Sequence, residues 1–273
     1  MSICVAFNLS DGVVIAVDSA TTMVGSDGNI TKVFPDVDKI FQLGHLKVGI
    51  ATYGIAAMKG RTIGSFIREF AFDPENADVL ETLTVAEIVE RLRIFFFGHY
   101  RSFLEEIHGV PYTEIPSNMK GNLGLVVGGF SPGAFLSEIW EVVIPRDEAA
   151  NSSRHVCAPG VYTFAWFASS VPINRYIKGI DPALSFALRT KFEGILGRGL
   201  TDEEVGEFGA VIAEAEYPIQ TNGMPIQGGI ACAKFLVDFV LGHYRFSETH
   251  PIVGGKARIG TVTYNQNAFQ ILD

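Results

Sequence analysis

Ser2 is the residue of this chain whose position points most directly to covalent chemistry. Methionine before a small residue such as serine is commonly trimmed, and removal of Met1 would leave Ser2 with a free α-amino group. Ser2 would then hold a nucleophile and a base together, because an α-amine with a pKa of about 8 can take the hydroxyl proton near neutral pH. The chemistry that this pairing predicts is attack on an acyl carbonyl. Most chains that open with Met-Ser use it only as an ordinary start, so the hypothesis depends on the surrounding elements.

The first nineteen residues have the pattern of a β-hairpin. Two apolar runs rich in β-branched residues flank Ser10-Asp11-Gly12, which is a strong short-range turn signal. Large apolar side chains alternate with small or polar ones along the first run, and Ser2 falls on the small-residue face. We predict a three-residue loop with Gly12 in the left-handed bulge position.

That loop determines where Asp18 lies relative to Ser2. It would pair Leu9 with Val13 and Cys4 with Asp18. Asp18 would then share a face with Ser2, as a diagonal neighbour about 7–8 Å away. A two-residue turn would shift the register by one residue and put the two side chains on opposite faces. The predicted hairpin therefore depends on the first register.

The composition excludes several classes of function. The 273 residues are 48% apolar and 19% charged, which is typical of a well-buried globular core. A net charge of −9 without any basic run argues against nucleic-acid binding. The sequence contains no stretch of 18 apolar residues and no recognisable secretory signal, so we expect no membrane partner and a cytoplasmic protein.

The cysteines, histidines and glycine pairs predict neither a metal site nor a cofactor. Cys4, Cys157 and Cys232 are widely spaced and odd in number, which favours buried thiols in a reducing compartment over disulfides or zinc. Cys4 in particular is interpreted as a small buried thiol and not as a second nucleophile. The six histidines lack metal-ligand spacing, and the Gly-Gly pairs fit neither the dinucleotide nor the P-loop pattern.

The remaining chain predicts two blocks of strands with helices segregated around them. A polar loop at 23–31 precedes two strands, and capping boxes at 84–87 and 201–204 open two of the helices. This order predicts an α+β fold of stacked sheets with helices on both outer sides, in a single domain over residues 1–273. The predicted strands are 38–43, 45–51, 123–130, 137–144, 160–167 and 257–264, and the predicted helices are 54–72, 84–108, 172–196 with a break near 179–182, 201–215 and 225–244.

Four segments of the chain resemble proteasome β-type subunits, which are N-terminal nucleophile hydrolases. Ser2 stands where that family has its catalytic threonine, sixteen residues before Asp18 in the family's strand motif. Lys39, in Asp-Lys-Ile, matches the catalytic lysine strand. Residues 48–54 match the strand-to-helix turn that donates to an oxyanion, and residues 253–262 match the Gly-Gly ending. The opening Met-Ser-Ile-Cys-Val-Ala is most similar to the bacterial ancestral β-subunit (Anbu) branch.

The resemblance implies a four-layer α-β-β-α sandwich of two mainly antiparallel sheets, and it assigns roles to the matching residues. Ser2 would attack the carbonyl, with its α-amine as general base and then as acid to the leaving amine. Lys39, as an ammonium, would favour the developing alkoxide, and Asp18 would hold Lys39 in place and charged. A backbone N–H of Tyr53 or Gly54 would receive the oxyanion.

The chain also departs from the family pattern. The nucleophile is serine where the family usually has threonine. The family's Asp and Ser before the Gly-Gly ending are replaced, with His250 and Val253 in that region. In place of a Ser-Gly-Ser turn, Ser169 and Ser170 are candidate supporting hydroxyls from a shifted position. In addition, Ala51 and Ile55 are candidates for lining the first substrate pocket.

Three hypotheses for the function follow. The first is a peptidase-like hydrolase in a self-assembled ring or helical stack, with a peptide or amide as substrate and no cofactor. The second is a non-proteolytic amidase or acyl transferase of the same type. The third is an assembly subunit that has kept the fold and lost the activity. The sequence leaves any partner ATPase unidentified.

Overall fold

Two five-stranded antiparallel sheets form the centre of the fold. The computed structural model describes residues 2–24, 30–77, 79–247 and 253–272. The strands are β1 Ile3–Leu9, β2 Gly12–Asp18, β3 Thr21–Val24, β4 Ile30–Phe34, β5 Ile40–Gln42, β6 Val48–Gly54, β7 Ala57–Met58, β8 Arg61–Thr62, β9 Leu123–Gly129, β10 Glu138–Ile144, β11 Arg154–Cys157, β12 Thr163–Ala168, β13 Ala257–Thr263 and β14 Gln270–Leu272. The first sheet has the strand order β12-β1-β2-β13-β14 and the second has the order β11-β10-β9-β6-β5, while β3 pairs with β4 and β7 with β8.

The helices fall into two compact units of the chain. Residues 1–168 with 221–273 make up the first unit, and residues 169–220 make up the second. Whether the two units act as the single domain predicted for residues 1–273 stays a prediction. The first unit contains α1 Ile63–Phe72, α2 Pro74–Ala77, α3 Val85–His108 and α7 Ile226–Phe246, and the second contains α4 Val171–Lys178, α5 Pro182–Leu196 and α6 Asp202–Glu214.

The first unit is a four-layer α-β-β-α arrangement. Small and β-branched side chains of the two sheets pack against each other in one buried cluster, which includes Cys4, Ala6, Val13, Ile15 and Val17 of the first sheet and Ile40, Ala51, Val126, Ile139 and Cys157 of the second. The helix α7 contacts β1, β2 and β13 on the outer side of the first sheet. A second cluster joins α1 and α3 to the opposite face of the second sheet. The predicted α+β sandwich is confirmed.

The register of the first hairpin differs from the prediction. Leu9 pairs with Gly12 and Cys4 with Val17, so Ser10 and Asp11 form a two-residue turn. Gly12 is not a bulge residue: it is part of β2 with φ +152°, and a Cβ there would lie 2.0 Å from the carbonyl oxygen of Val262 on β13. The glycine is therefore required by the approach of a neighbouring strand, which the local turn signal does not reveal.

Most predicted elements have their expected positions. The capping box of Thr84 and Glu87 opens α3, and that of Thr201 and Glu204 opens α6. The predicted break near 179–182 separates α4 from α5, because Gly179 has a φ of +70° and Pro182 begins the next helix.

Other elements differ from the prediction. The helix predicted over 54–72 begins only at Ile63, since β7 and β8 occupy 57–62. The predicted loop at 23–31 contains parts of β3 and β4, with 25–29 outside the described residues. Two edge strands, β11 and β14, were not predicted. β11 has four residues and β14 has three, which is too short for alternation of side chains to identify them. Among the described residues, no helix combines the length and the apolar character that a membrane crossing requires.

Candidate active site

Ser2, Asp18 and Lys39 meet in one buried cluster at the end of the first hairpin. The Lys39 ammonium donates to the Ser2 hydroxyl, with Nζ 2.9 Å from Oγ. It also donates to both carboxylate oxygens of Asp18, at 3.1 and 3.0 Å. The three residues are 5%, 0% and 6% exposed for Ser2, Asp18 and Lys39. A lysine is rarely buried to this degree without a charged partner, and here Asp18 supplies that partner.

Backbone contacts hold the charged pair from both sides. Asp18 is the last residue of β2, and its carboxylate accepts the N–H of Ile3 at 3.1 Å and the N–H of Gly254 at 3.4 Å. Lys39 immediately precedes β5, and its carbonyl accepts the N–H of Thr52 at 2.8 Å. The side chains are thus placed by three strands and by the segment before β13.

The observed register explains how Asp18 serves this cluster in spite of the shifted hairpin. By alternation along the strands, Asp18 and Ser2 belong to opposite faces of the first sheet. Asp18 lies at the strand end, however, and its carboxylate reaches the N–H of Ile3, the residue that follows Ser2. Lys39 joins the two from the second sheet, because its ammonium is within hydrogen-bond distance of both.

Burial and ion pairing shift the pKa values of Asp18 and Lys39 in opposite directions. Loss of hydration raises the pKa of Asp18, and the nearby Lys39 charge and hydrogen bonds lower it by a smaller amount. Loss of hydration likewise lowers the pKa of Lys39, and Asp18 partly restores it. Both shifts favour the uncharged forms. A lysine with a lowered pKa beside a hydroxyl gives up its proton more readily than a surface lysine.

The Gly254-Gly255 segment packs directly against the residues that follow β2. The N–H of Ala20 donates to the Gly254 carbonyl at 3.1 Å. The Ser19 hydroxyl donates to the carbonyl of Pro35 at 2.7 Å and accepts the N–H of Lys256 at 3.0 Å. Gly255 has a φ of +78°, and a Cβ there would lie 2.2 Å from the Pro35 oxygen and 2.3 Å from the Ser19 hydroxyl. Only glycine fits this approach.

A cavity of about 350 Å³ opens in front of the cluster. Ser2, Lys39, Tyr53, Gly54 and Ile55 are among the residues that line it. The cavity lining therefore includes a hydroxyl, an ammonium and the Tyr53–Gly54 segment. A space of this size falls within the range of small-ligand pockets.

The turn after β6 has a conformation that requires glycine. Gly54 has a φ of +84°, and a Cβ there would lie 2.0 Å from the carbonyl oxygen of Asn122. The same oxygen accepts the N–H of Ile55 at 2.9 Å. This arrangement fixes the path of the backbone beside the cavity. Ala51, by contrast, is fully buried in the core between the sheets.

Ser169 and Ser170 lie in the second unit of the chain. Ser169 is buried, and its hydroxyl has no hydrogen-bond partner among the described residues. Ser170 directly precedes α4 and its side chain does not cap that helix. Their predicted supporting role stays a prediction. Val253 is buried, whereas His250 lies outside the described residues.

Sequence reasoning missed two residues next to the cluster. Ser19 ties the segment before β13 to Pro35, and its only signal in the sequence is its position after Asp18. Ala168 has a left-handed φ of +66° and pairs with Ile3, next to the candidate nucleophile. A non-glycine residue in this conformation has backbone strain, and no sequence pattern predicts that strain.

The structure also locates the groups that offered other chemistry. Cys4 is fully buried, and burial raises the pKa of its thiol well above the ordinary value, with smaller contributions from Glu141 and Asp18. A thiol in this state is a poor nucleophile. Within the described ranges, no group of three histidine, cysteine, aspartate or glutamate side chains is arranged to hold a metal ion.

Comparisons with known proteins identify the fold. No protein-family model and no curated protein matches the sequence. Solved structures do match: Anbu (ancestral β-subunit) from Yersinia bercovieri has a TM-score of 0.52 at 13% identity, covering 98% of this chain and 86% of that chain. The helical assembly of the Anbu complex from Pseudomonas aeruginosa has a TM-score of 0.51 at 14% identity, covering 99% and 86%. An Anbu Gly-1 mutant from Hyphomicrobium sp. strain MC1 has a TM-score of 0.51 at 11% identity, covering 100% and 86%.

At 11–14% identity, these likenesses carry information on the fold and not on the reaction. They support the α+β fold described above. The chain has the fold of the ancestral β-subunit (Anbu) proteins.

Proposed function

We propose that this protein is an N-terminal nucleophile hydrolase that cleaves a peptide or amide bond with Ser2, after removal of Met1. The observation that carries the proposal is the hydrogen bond of the Lys39 ammonium to the Ser2 hydroxyl at 2.9 Å, in a buried pair with Asp18. Stability alone does not explain a buried lysine that donates to a serine hydroxyl. Two apolar side chains in place of Lys39 and Asp18 would fill the same space without the cost of desolvating two charges, so the ion pair is better explained by catalysis.

The reaction proceeds in two acyl transfers. The Ser2 Oγ attacks the carbonyl carbon while the α-amine of Ser2 takes the hydroxyl proton, directly or through a water molecule. The C–N bond then breaks, and the leaving amine receives that proton. Water attacks the resulting ester, which releases the acid and restores the hydroxyl. Lys39, held by Asp18, stabilises the developing alkoxide.

The cavity beside Ser2 supplies the other requirements of this reaction. A backbone N–H of Tyr53 or Gly54 is the proposed oxyanion donor, and such a donor is worth about 3–4 kcal/mol of transition-state stabilisation. Ile55 lines the cavity and is the proposed contact for the first side chain of the substrate, whereas Ala51 is buried in the core between the sheets and does not line it. Ser169 and Ser170 are the proposed supporting hydroxyls.

Self-assembly is the second part of the proposal. A helical assembly is described for the similar protein of Pseudomonas aeruginosa. In this chain, Phe72 and Ile94 of the first unit are 71% and 58% exposed, and Phe186 and Ile195 of the second unit are 72% and 69% exposed. Under this proposal, these side chains lie in the contacts between copies in a ring or a helical stack. Native mass spectrometry tests this part, and a lone monomer at micromolar concentration would contradict it.

A silent assembly subunit is the alternative that a specific observation favours. Val253 occupies the region where active proteasome subunits have Asp and Ser before the Gly-Gly pair, and Val253 is fully buried. The apolar side chain of Val253 supplies no polar group that could orient the terminal amine. Acyl transfer to an amine in place of water would use the same first half-reaction, and the products separate it from hydrolysis.

The experiment that tests the proposal is intact-mass analysis with and without a peptide epoxyketone. The expected result is a chain without Met1 that gains one inhibitor mass at Ser2. Ser2→Ala should abolish the adduct, while the control Ser10→Ala should leave it intact, because Ser10 is exposed in the hairpin turn. A retained Met1, or a mature N-terminus without any adduct, would overturn the proposal, and the second result would favour the silent subunit.

A further inference from the structure

A buried glutamate lies behind the cavity wall, on the strand β10. Glu141 is 5% exposed, and its carboxylate accepts the hydroxyl of Tyr53 at 2.6 Å. Its other oxygen accepts Arg154 Nε at 3.0 Å and Arg146 Nη1 at 3.2 Å. Both carboxylate oxygens are therefore occupied, and the charge is balanced by two arginines at the protein surface.

This contact fixes the side chain of Tyr53 across the inner face of the second sheet. Tyr53 pairs with Gly124 on β9, and its ring lies over that glycine, where a Cβ would come within 2.0 Å of the ring carbon Cζ. The other side of the ring stacks against Phe167, with centroids 6.4 Å apart at an angle of 20°. The ring has one position, and Glu141 holds its far end.

The hydroxyl of Tyr53 stays a donor across the accessible pH range. Burial raises the pKa of Tyr53, and its contact with Glu141 raises the pKa further. The hydroxyl therefore keeps the proton that it donates to Glu141. A short bond between a neutral donor and a charged acceptor is among the stronger kinds in proteins.

We propose that Glu141 is a positioning residue for the oxyanion site. It acts through the Tyr53 side chain on the backbone of Tyr53 and Gly54, two residues that line the cavity together with Ser2 and Lys39. The inference rests on the proposed function, because it assigns a role only if an acyl carbonyl is attacked there. Backbone donors must be held close to their productive position, since a displacement of 1 Å can reduce a rate by about 100-fold.

The test measures acylation of Ser2 by a peptide β-lactone, with the maximal rate kinact and the half-saturating concentration KI followed by intact mass. Tyr53→Phe keeps the ring and removes the hydroxyl, and Glu141→Ala removes the acceptor. Each should lower kinact by about 10- to 100-fold with little change in KI. Glu141→Gln keeps an acceptor oxygen for Tyr53 and should lose less than Glu141→Ala.

Two further variants separate positioning from loss of stability. The combined Tyr53→Phe and Glu141→Ala variant should be no slower than the slower single variant, because both changes remove one shared interaction. Ser137→Ala is the matched control: it removes the buried hydrogen bond from Ser137 Oγ to Asn8 Oδ1 at 2.7 Å, just before β10 and away from the cavity. Its kinact should equal that of the wild type.

The outcomes distinguish this inference from the function on which it rests. If wild-type Ser2 is acylated and Tyr53→Phe and Glu141→Ala react with unchanged kinact, the positioning role is wrong and the proposed hydrolase stands. A fall in kinact that Ser137→Ala reproduces also overturns it. If wild-type Ser2 does not react at all, both the function and the role of Glu141 fail.

Discussion

The carboxylate of Asp18 accepts the backbone N–H of Ile3 at 3.1 Å, across the open end of the first hairpin. The same carboxylate accepts the N–H of Gly254 and pairs with Lys39. One buried side chain thereby fixes the residue after the candidate nucleophile, the candidate ammonium and the segment before β13. The cluster is consequently sensitive to changes in charge as well as in backbone conformation.

Replacing only one member of the charged pair should be more harmful than replacing both. Asp18→Asn leaves the Lys39 ammonium buried without a partner, and removal of one partner of a buried ion pair costs about 3–5 kcal/mol. The combined Asp18→Asn and Lys39→Met variant should recover most of that loss, since it removes both desolvated charges. Urea unfolding at pH 7 measures the free energy of unfolding. A combined variant that is less stable than Asp18→Asn would contradict the argument.

Lys39→Met alone should give the stability a distinct pH dependence. Burial already raises the pKa of Asp18 above its ordinary 3.8, and removal of the lysine raises it further because the favourable charge is lost. The folded state then holds a proton that the unfolded state releases, so the free energy of unfolding should fall as the pH rises from about 4 through the raised pKa. The combined Asp18→Asn and Lys39→Met variant is the control and should lack this slope.

Gly255→Ala should be clearly more destabilising than an equivalent change in open space. Gly255 and Gly133 have similar φ values of +78° and +71°, but a Cβ at 133 meets nothing within 4 Å. Gly133→Ala should therefore cost only the conformational strain, about 1 kcal/mol. At Gly255 the overlap with Pro35 and Ser19 adds about 1–3 kcal/mol. Thermal unfolding measures both, and equal costs would show that the segment moves freely away from Ser19.

Ala168→Gly should stabilise the protein. The left-handed φ of +66° destabilises the folded state by about 1–2 kcal/mol when the residue is alanine, and glycine removes this strain. Glycine also makes the unfolded chain more flexible, which offsets about 0.5–1 kcal/mol of that gain. The net gain should be about 0.5–1 kcal/mol by urea unfolding. Ala165→Gly, on the same strand but without a positive φ, should be destabilising by about 1 kcal/mol. A loss of stability in Ala168→Gly would contradict the assigned strain.

The cysteines should be unreactive in the folded protein. Burial raises the pKa of Cys157 to about 11 and that of Cys4 well above its ordinary value, and both side chains are fully buried. Cys232 is only half-buried. Iodoacetamide at pH 8 should therefore modify at most Cys232 in the native state, and all three after denaturation, as counted by intact mass. Native modification of Cys4 would reopen it as a second nucleophile.

Sequence reasoning predicted the order of strands and helices better than it predicted the geometry of individual turns. The order of strands and helices follows from side-chain periodicity and from the capping boxes of Thr84 and Thr201, which act within a few residues. The turn before Gly12 was predicted wrongly, because the glycine serves the approach of Val262 from a strand almost the whole chain away. Such distant contacts leave no trace in a local window.

The same distinction holds within the candidate site. Ser2 and Asp18 are indicated by the hairpin pattern and Lys39 by a resemblance in motif, and the structure brings the three side chains together. The roles of Ser19 and Glu141 depend on hydrogen bonds to residues far along the chain, and neither residue type nor spacing predicts them. Their positions could be learned only from the folded chain.

The hydrogen bond from the Gly254 N–H to Asp18 has a consequence for protein synthesis. It joins a residue near the start of the chain to one close to its end, and β13 then covers the free edge of β2. A ribosome synthesises the N-terminal part of a chain first, so the hairpin is made long before its partner strand β13. The contacts of Asp18 and β2 with residues 254–263 can form only after that later segment has been synthesised.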